Sequence, residues 1–367
     1  MKATAVVKKN QKNKHINYGK WGFIFLIPFF LVFLVFQLWP LIQTLHFSWY
    51  TFYDDQLTTV GPIWCGFDNF ATLFGAKTLR PIYFFKIKLG EFEINDLTYY
   101  SLNTLIIWVI GFIPQIAVSL LLAVLFTDIK LNLKLQKFWK TVIYMPNLIM
   151  ASAFGMLFFM ILSRSGPVMG ILLKLGWIGP EDTDISASPS WTRIVIAFMN
   201  FLMWFGNTTL LLMAGVMGID TSIYESALLD GASSGTIFRK ITMPLLRPIF
   251  IYVLITSMIG GIQLFDVAQI FTQRSGGPNA SSFTLMMYLY NLISVKQDYG
   301  LSGALSFLMF IVTAALSMTV YRVSNPRIDP EKEAQKSFRS RMKEYQNCPA
   351  TQAEMKMKGL SLEGGKR

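Results

Sequence analysis

Six apolar stretches, each long enough to cross a bilayer as a helix, constrain this chain more than any motif in it. They run over about Trp21–Phe47, Tyr99–Thr127, Phe138–Leu162, Trp191–Met217, Leu245–Phe265 and Leu301–Tyr321. About 20 apolar residues at a helical rise cover a ~30 Å hydrocarbon core. Helices are the economical form there, because lipid offers no partner to a free backbone amide. Pro28, Pro114 and Pro146 lie inside these stretches and predict kinks that neighbouring helices or water must relieve. A seventh apolar piece, Pro167–Gly176, is too short to cross and reads as a surface or re-entrant helix. Lysines precede the first stretch as in a signal peptide, but the run Gly22–Leu38 exceeds an h-region and no small-x-small site follows. It is expected to be a retained first span. With 53% hydrophobic and only 15% charged residues, the chain is not a disordered polymer, a coiled coil or a disulfide-rich module. An ordinary soluble enzyme is disfavoured on the same grounds.

The net charge of +12 acquires meaning once each basic residue is placed. With both termini in the cytoplasm, 24 of the 33 lysines and arginines fall on inner segments and nine on outer ones, while the acidic residues divide 10 to 11. Lysine and arginine set topology, so the distribution predicts an N-in, C-in chain. It also puts Cys65 outside and Cys348 inside, where they cannot pair within one chain. The basic run Lys130–Lys140, with Phe138 and Trp139, reads as an interfacial segment facing anionic membrane lipid. A nucleic-acid partner would need a folded basic face with stacking groups, and no soluble stretch supplies one. Two histidines, His15 and His46, and two cysteines provide no metal site and no catalytic constellation.

The expected organisation is a cytoplasmic tail over 1–20, a six-helix domain over 21–321 and a cytoplasmic tail over 322–367. Within the domain, 48–98 forms an extracytoplasmic loop. There Phe84–Ile94 alternates on both sides of Gly90 and predicts a hairpin, either a partner contact or a cap over helix ends. The last 46 residues, with 11 basic and six acidic side chains, cannot bury enough apolar area to fold alone.

One inner loop, 218–247, is more than a connector. Thr221 or Ser222 can cap a short helix whose first turn holds Glu225, favourable at the positive end of the dipole. Ala227, Leu228 and Ala232 give a small-to-apolar flank, and Gly231 permits close approach or a sharp turn. A second short helix reaches about Ile241, and Pro244 opens the next span, where its missing amide is harmless. The resulting helix-turn-helix exposes a small-residue patch bordered by acids, suited to docking in a partner's cleft.

This string resembles the Glu-Ala-Ala loop of binding-protein-dependent ABC importer permeases. Glu225, Ala227, Asp230, Gly231, Ala232, Phe238, Ile241 and Pro244 match in order and spacing, while Ser226 replaces an alanine and Met243 a leucine. The resemblance covers about residues 15–325 and is nearest to the carbohydrate branch, which includes maltose, glycerol-phosphate and multiple-sugar permeases. Further matches are Gly66-Phe-Asp-Asn-Phe70, Asn103-Thr-Leu105, Lys140-Thr with Met145-Pro146, and Gly276-Gly-Pro278 followed by Thr284.

The resemblance implies an all-α membrane protein with the type I ABC importer fold, in the inner membrane of a bacterial cell. This chain would form half of a translocation pore beside a paralogous permease. Two ABC ATPase subunits would bind ATP and Mg, and an extracytoplasmic solute-binding protein would deliver a sugar, an oligosaccharide by this reading. No Gly-x-x-x-x-Gly-Lys-Ser/Thr occurs in the chain, so it is not read as an enzyme itself. Glu225, Ser226, Ala227, Asp230, Gly231, Ala232, Phe238 and Pro244 would couple it to the ATPase. Asn147, Asn200, Trp204, Asn207 and Gln263 are polar or aromatic groups deep in spans three to five, costly unless they face a cavity or a neighbouring helix. Family positions equivalent to Asn147, Asn200, Trp204 and Gln263 hold the sugar, although Trp204 stands where glycine is common. The competing reading of each is an interhelical hydrogen bond or a packed aromatic. Asp266 reads as interfacial. Alternatives at the level of the whole chain are a permease of this class for a non-sugar solute such as glycerol phosphate, a secondary transporter, and a membrane-embedded transferase. Spans nearly free of acids and bases, and the lack of convergent nucleophiles, speak against the last two.

Overall fold

A computed structural model describes residues 19–55, 58–75, 77–84, 87–127, 135–176 and 188–324. The tails, Cys348 and the first part of Lys130–Lys140 lie outside these residues. The chain up to Ala314 is one unit, and Ala315 begins a second. The six spans are present as Gly22–Phe47, Asp96–Thr127, Ala151–Lys174, Pro189–Met217, Ser234–Phe271 and Tyr299–Val323.

The first span comprises α1 (Gly19–Phe33), a π turn at Leu34–Leu38 and α2 (Trp39–Phe47). Two antiparallel hairpins follow, β1 (Tyr50–Asp55) with β2 (Thr58–Trp64) and β3 (Lys77–Phe84) with β4 (Ile87–Asn95), separated by α3 (Asp68–Gly75). The first of these was not anticipated. The ladder of the second runs on to the pair Phe84–Ile87, past Gly90, which faces Ile82 where the register shifts. Gly90 has φ +142°, so it serves an irregularity within the strand and not the reversal.

The remaining spans are α4 (Asp96–Thr127), α6 (Ala151–Leu162) with α7 (Pro167–Lys174), α8 (Pro189–Met217), α11 (Met243–Ile262) with α12 (Asp266–Phe271), and α14 (Tyr299–Ser324). Between them lie α5 (Gln136–Leu148), α9 (Thr221–Leu229), α10 (Ser234–Ile237) and α13 (Leu285–Ser294). The expected third span, Phe138–Leu162, is not continuous. Helix α5 stops two residues after Pro146, and Ile149 and Met150 are extended (ψ 134° and 132°) before α6 begins. Proline removes one rung and crowds the carbonyl a turn earlier, which weakens the helix there, and the packing of α6 on α12 accompanies the stop. The short Pro167 segment then completes the span that begins at α6. The fifth span is broken likewise at Gln263–Phe265, and α6 packs on α12, so the two pieces beyond the breaks support each other.

Pro40 and Pro244 share one device. Each is the second residue of a helix that follows a π turn, and the residue before it donates five positions back: Trp39 to Leu34 and Met243 to Phe238. Proline cannot donate, and the widened turn shifts the ladder around it.

Helices α4 and α8 form the most extensive pair. Gly111 lets them close, since a Cβ there would sit 2.9 Å from the Ala197 carbonyl oxygen. Gln115 Nε2 donates to Thr208 Oγ1 (2.9 Å) and Ser119 Oγ to the Phe205 carbonyl (2.8 Å). Small residues and interhelical hydrogen bonds hold helices where hydrophobicity does not discriminate. A core of Ile107, Phe154, Ile196, Met199, Val267 and Phe271 joins these helices to α6 and α12. The 48–98 loop is tied to the 297–300 connection: Asp54 N donates to Gln297 O (3.0 Å), and Gly300 lies against the Tyr50 carbonyl. Asn69 of the Gly-x-x-Asn-Phe motif donates to Ser48 O (3.1 Å) and Tyr50 O (3.0 Å).

A Cβ at Gly206 would collide with the Ile143 carbonyl oxygen of α5, whereas nothing lies within 4 Å at Gly170. Gly206→Ala is expected to cost about 1–3 kcal/mol through overpacking. Gly170→Ala should be neutral or slightly stabilising. Unfolding titrations of both variants in lipid nanodiscs check the contrast.

Candidate substrate cavity and ATPase-coupling hairpin

The 220–244 hairpin is built by capping at both ends of α9. Asp220 precedes the helix, and its carboxylate accepts from the Ser222 backbone N–H (2.9 Å). The expected caps, Thr221 and Ser222, lie inside the helix. Glu225 is consequently in the second turn rather than the first, so the dipole argument for it lapses. The far end closes as Asp230 N donates to Ser226 O (3.0 Å), Gly231 N to Leu228 O (3.1 Å) and Ala232 N to Ala227 O (3.0 Å). This is the Schellman pattern, with Gly231 at φ +74° in the left-handed position that a Cβ disfavours. Space around Gly231 is open, so within this chain its role is to stop the helix.

Ser233 Oγ caps α10, accepting from Thr236 N (3.3 Å). Where a helix to Ile241 was expected, α10 ends at Ile237 and the π turn Phe238–Thr242 leads into α11. Tyr224 Oη and Thr242 Oγ1, 3.2 Å apart, tie the two limbs. Glu225, Ser226, Asp230, Gly231 and Pro244 are exposed, and Ala227, Ala232 and Phe238 are half-buried. Leu229, beside the acids, is 89% exposed. Phe238 lines a cavity of about 350 Å³ behind the hairpin with Tyr224, Leu228, Val124 and Val216.

A second cavity, about 360 Å³, lies between α4, α8 and α11. Asn200, Trp204 and Asn207 line it from α8, where spacings of four and three put them on one face. Opposite stand Gln115 of α4 and Tyr252, Thr256 and Ser257 of α11. Gly261 makes room for Trp108, whose Nε1 donates to Ser257 Oγ (3.2 Å). Every residue lining the cavity is uncharged. Two expected members stand elsewhere. Asn147 Nδ2 donates to the Met203 carbonyl (3.0 Å), the interhelical bond weighed as its alternative. Gln263 is exposed at the break after α11. The α11 wall was missed, although Tyr252, Thr256 and Gly260 recur every fourth residue inside an apolar span.

The neutral cavity and the closed hairpin belong to one unit. The family model for the binding-protein-dependent transport system inner membrane component matches residues 115–330, more than half of the chain. The chain belongs to this family. It is a multi-pass membrane protein and a permease component. It is 29% identical over 307 residues to the lactose transport system permease protein LacF of Rhizobium radiobacter, covering 83% of this chain and 94% of that one. It is 28% identical over 314 residues to the arabinooligosaccharides transport system permease protein AraP of Bacillus subtilis, covering 82% and 88%. A crystal structure of a bacterial ABC transporter importing the acidic polysaccharide alginate matches with TM-score 0.65 at 20% identity, covering 86% of this chain and 98% of that chain. The same transporter with an alginate pentasaccharide-bound periplasmic protein gives 0.62 at 20% identity, covering 84% and 95%. These two confirm the fold.

The Asp220 carboxyl is held below its ordinary range, chiefly by the Ser222 backbone N–H, then by the Ser222 hydroxyl. A depressed carboxylate stabilises the cap above its unfolded pKa, and that contribution disappears as pH falls through the folded value. Amide protection over Ile223–Leu229, relative to the intrinsic exchange rate at each pH, should therefore fall on acidification in the native chain. Asp220→Asn should abolish the pH step in protection, and Asp220→Ala should show low protection throughout.

Proposed function

We propose that this permease imports a neutral sugar, an oligosaccharide by preference, as half of the translocation pore of an ATP-driven, binding-protein-dependent transporter. The observation that carries the reading is the uncharged cavity whose lining combines Asn200, Asn207 and Gln115 with the aromatic side chains Trp204 and Tyr252. Amides pair with sugar hydroxyls and aromatic faces cover sugar C–H surfaces, so an orientation-fixing set on an apolar lining suits a glycan. A phosphate or carboxylate solute calls for a cationic partner, which this lining does not supply.

In this reading both termini are cytoplasmic, and a paralogous permease completes the pore. Two ATPase subunits hold ATP and Mg, and the hairpin seats in a cleft of one of them through Glu225, Ser226, Leu229 and Asp230. The short helix α9, closed at both ends, moves as one body with ATPase closure. Its covalent continuity with α8 and α11 carries the motion to two walls of the cavity. The names of the lactose and arabinooligosaccharides relatives support the substrate class.

Proteoliposomes holding the complete transporter test this. Uptake should need internal ATP and the solute-binding protein; uptake driven by an ion gradient without the ATPase subunits would overturn the assignment. Glu225→Lys combined with Gly231→Asp should insert normally yet abolish transport, and full uptake by the double variant refutes the coupling role. Asn207→Ala should raise the KM for sugar about tenfold, the equivalent of about 1.4 kcal/mol. The same panel should discriminate against alginate oligosaccharides.

A further inference from the structure

A hydroxyl inside an apolar helix ordinarily gives its one proton to a carbonyl a turn back in its own backbone. Thr104, Thr209 and Thr313 do so, and Thr256 Oγ1 donates in this way to the Tyr252 carbonyl (2.8 Å). Ser257, next to Thr256 on α11 and on the wall of the cavity of about 360 Å³, does not. Its Oγ is the acceptor for Trp108 Nε1 of α4 (3.2 Å), and it makes no other hydrogen bond with any described residue. Chemistry fixes the direction of this bond, because an indole N–H can only donate. A hydroxyl that accepts keeps its proton. Ser257 therefore offers the cavity a donor, whereas Thr256 offers it an acceptor.

The indole that sets this direction is itself fixed. Its ring stacks on Phe112, one turn along α4, with centroids 5.2 Å apart and planes at 16°. Gly261, one turn beyond Ser257 on α11, leaves the hollow that the indole fills, since a Cβ there would run into its Cδ1. An N–H in an apolar span is costly without an acceptor, so Ser257 satisfies the indole while the indole orients Ser257. Packing alone does not call for this pairing, because a phenylalanine would fill the same hollow without engaging a cavity hydroxyl. Without the N–H, the Ser257 hydroxyl would be free to turn back on the Val253 carbonyl, the default partner of such a group, and the cavity would lose its donor.

We propose that Ser257 is a specificity-determining contact in the cavity, donating its proton to one oxygen of the sugar, and that Trp108 is the positioning residue that reserves this proton for the solute. The inference rests on the sugar substrate proposed above and narrows it. Helix α8 brings the carboxamides of Asn200 and Asn207, each able to give and to accept, whereas α11 brings a single donor of fixed direction. A solute without an oxygen at that point forfeits the bond and leaves a donor unpaired in an apolar wall. Trp108 stands behind the lining and acts through Ser257.

Uptake by the complete transporter in proteoliposomes tests the assignment, with lactose, maltotriose and arabinotriose as solutes and then the monodeoxy analogues of whichever is taken up best. The readout is the ratio of parent to analogue uptake. The binding protein is common to all assays, so a change in that ratio between chains belongs to the permease. Ser257→Ala should lower the ratio about tenfold for one analogue, by slowing the parent and not the analogue, and leave the ratios for the others unchanged. Trp108→Phe should lower the same ratio, and the double variant should do no more than Ser257→Ala alone. If Trp108→Phe fails to assemble, benzothienylalanine at position 108, with sulfur in place of the N–H, removes the donor at constant shape. Equal slowing of every solute by Ser257→Ala, or native ratios in that variant, overturns the contact. Native ratios with the donor at 108 removed overturn the role of Trp108. A native assembly that takes up none of the three sugars sinks the proposed function and this inference together, whereas uptake with unaltered ratios in the variants sinks the inference alone.

Discussion

The close pairing of α4 and α8 is the contact on which the rest depends. It is made at Gly111, where the backbone of one helix meets the Ala197 carbonyl of the other, and is keyed by Gln115 to Thr208. Lipid rewards no particular register between two apolar helices, so the register must come from shape and a few hydrogen bonds. Helix α8 then distributes that register along its length. Arg193 stands near its start, Asn200, Trp204 and Asn207 follow, and its end at Met217 leads within four residues into α9. A slip of one turn would part Arg193 from Ser281, empty the cavity wall and misplace the hairpin at once.

Continuity of the backbone is the second constraint. A membrane helix is interrupted only where something else takes over its unpaired groups. The breaks after Leu148 and Ile262 are placed so that α6 and α12, the pieces beyond them, pack together around Gly155 and Ile270.

Much of this was legible in the residues, and the failures are instructive. Span number and approximate limits follow from apolar length alone, because nothing else in a sequence imitates 20 uninterrupted apolar residues. Pro146 signalled trouble in the third span, but periodicity does not distinguish a kink from a stop; tertiary contacts of α6 decide that. The hairpin around Gly90 was expected from alternation, and the glycine was mistaken for its turn because bulges and turns favour the same residue. Asp220 was overlooked as the cap because the helix could start one residue later with an equally suitable hydroxyl. Asn200, Trp204 and Asn207 were singled out as polar or aromatic side chains deep in a span, and the structure lines one cavity with all three. Asn147 was grouped with them because a polar side chain bonded across an interface and one facing a cavity look alike in sequence. For Arg193 no local pattern reveals that residues 90 and 88 positions away, Asn103 and Ser281, accept its hydrogen bonds.

The π turn at Phe238–Thr242 has a mechanical meaning. Pro244 deletes a rung of the ladder at the junction between the hairpin and α11, and the widened turn spreads the remaining bonds over more backbone. A rod with one softened collar does not transmit a push and a twist equally. Axial load passes along the covalent chain, while rotation is absorbed where the rungs are fewest. The hairpin is therefore better joined to α11 for lifting and lowering it than for turning it.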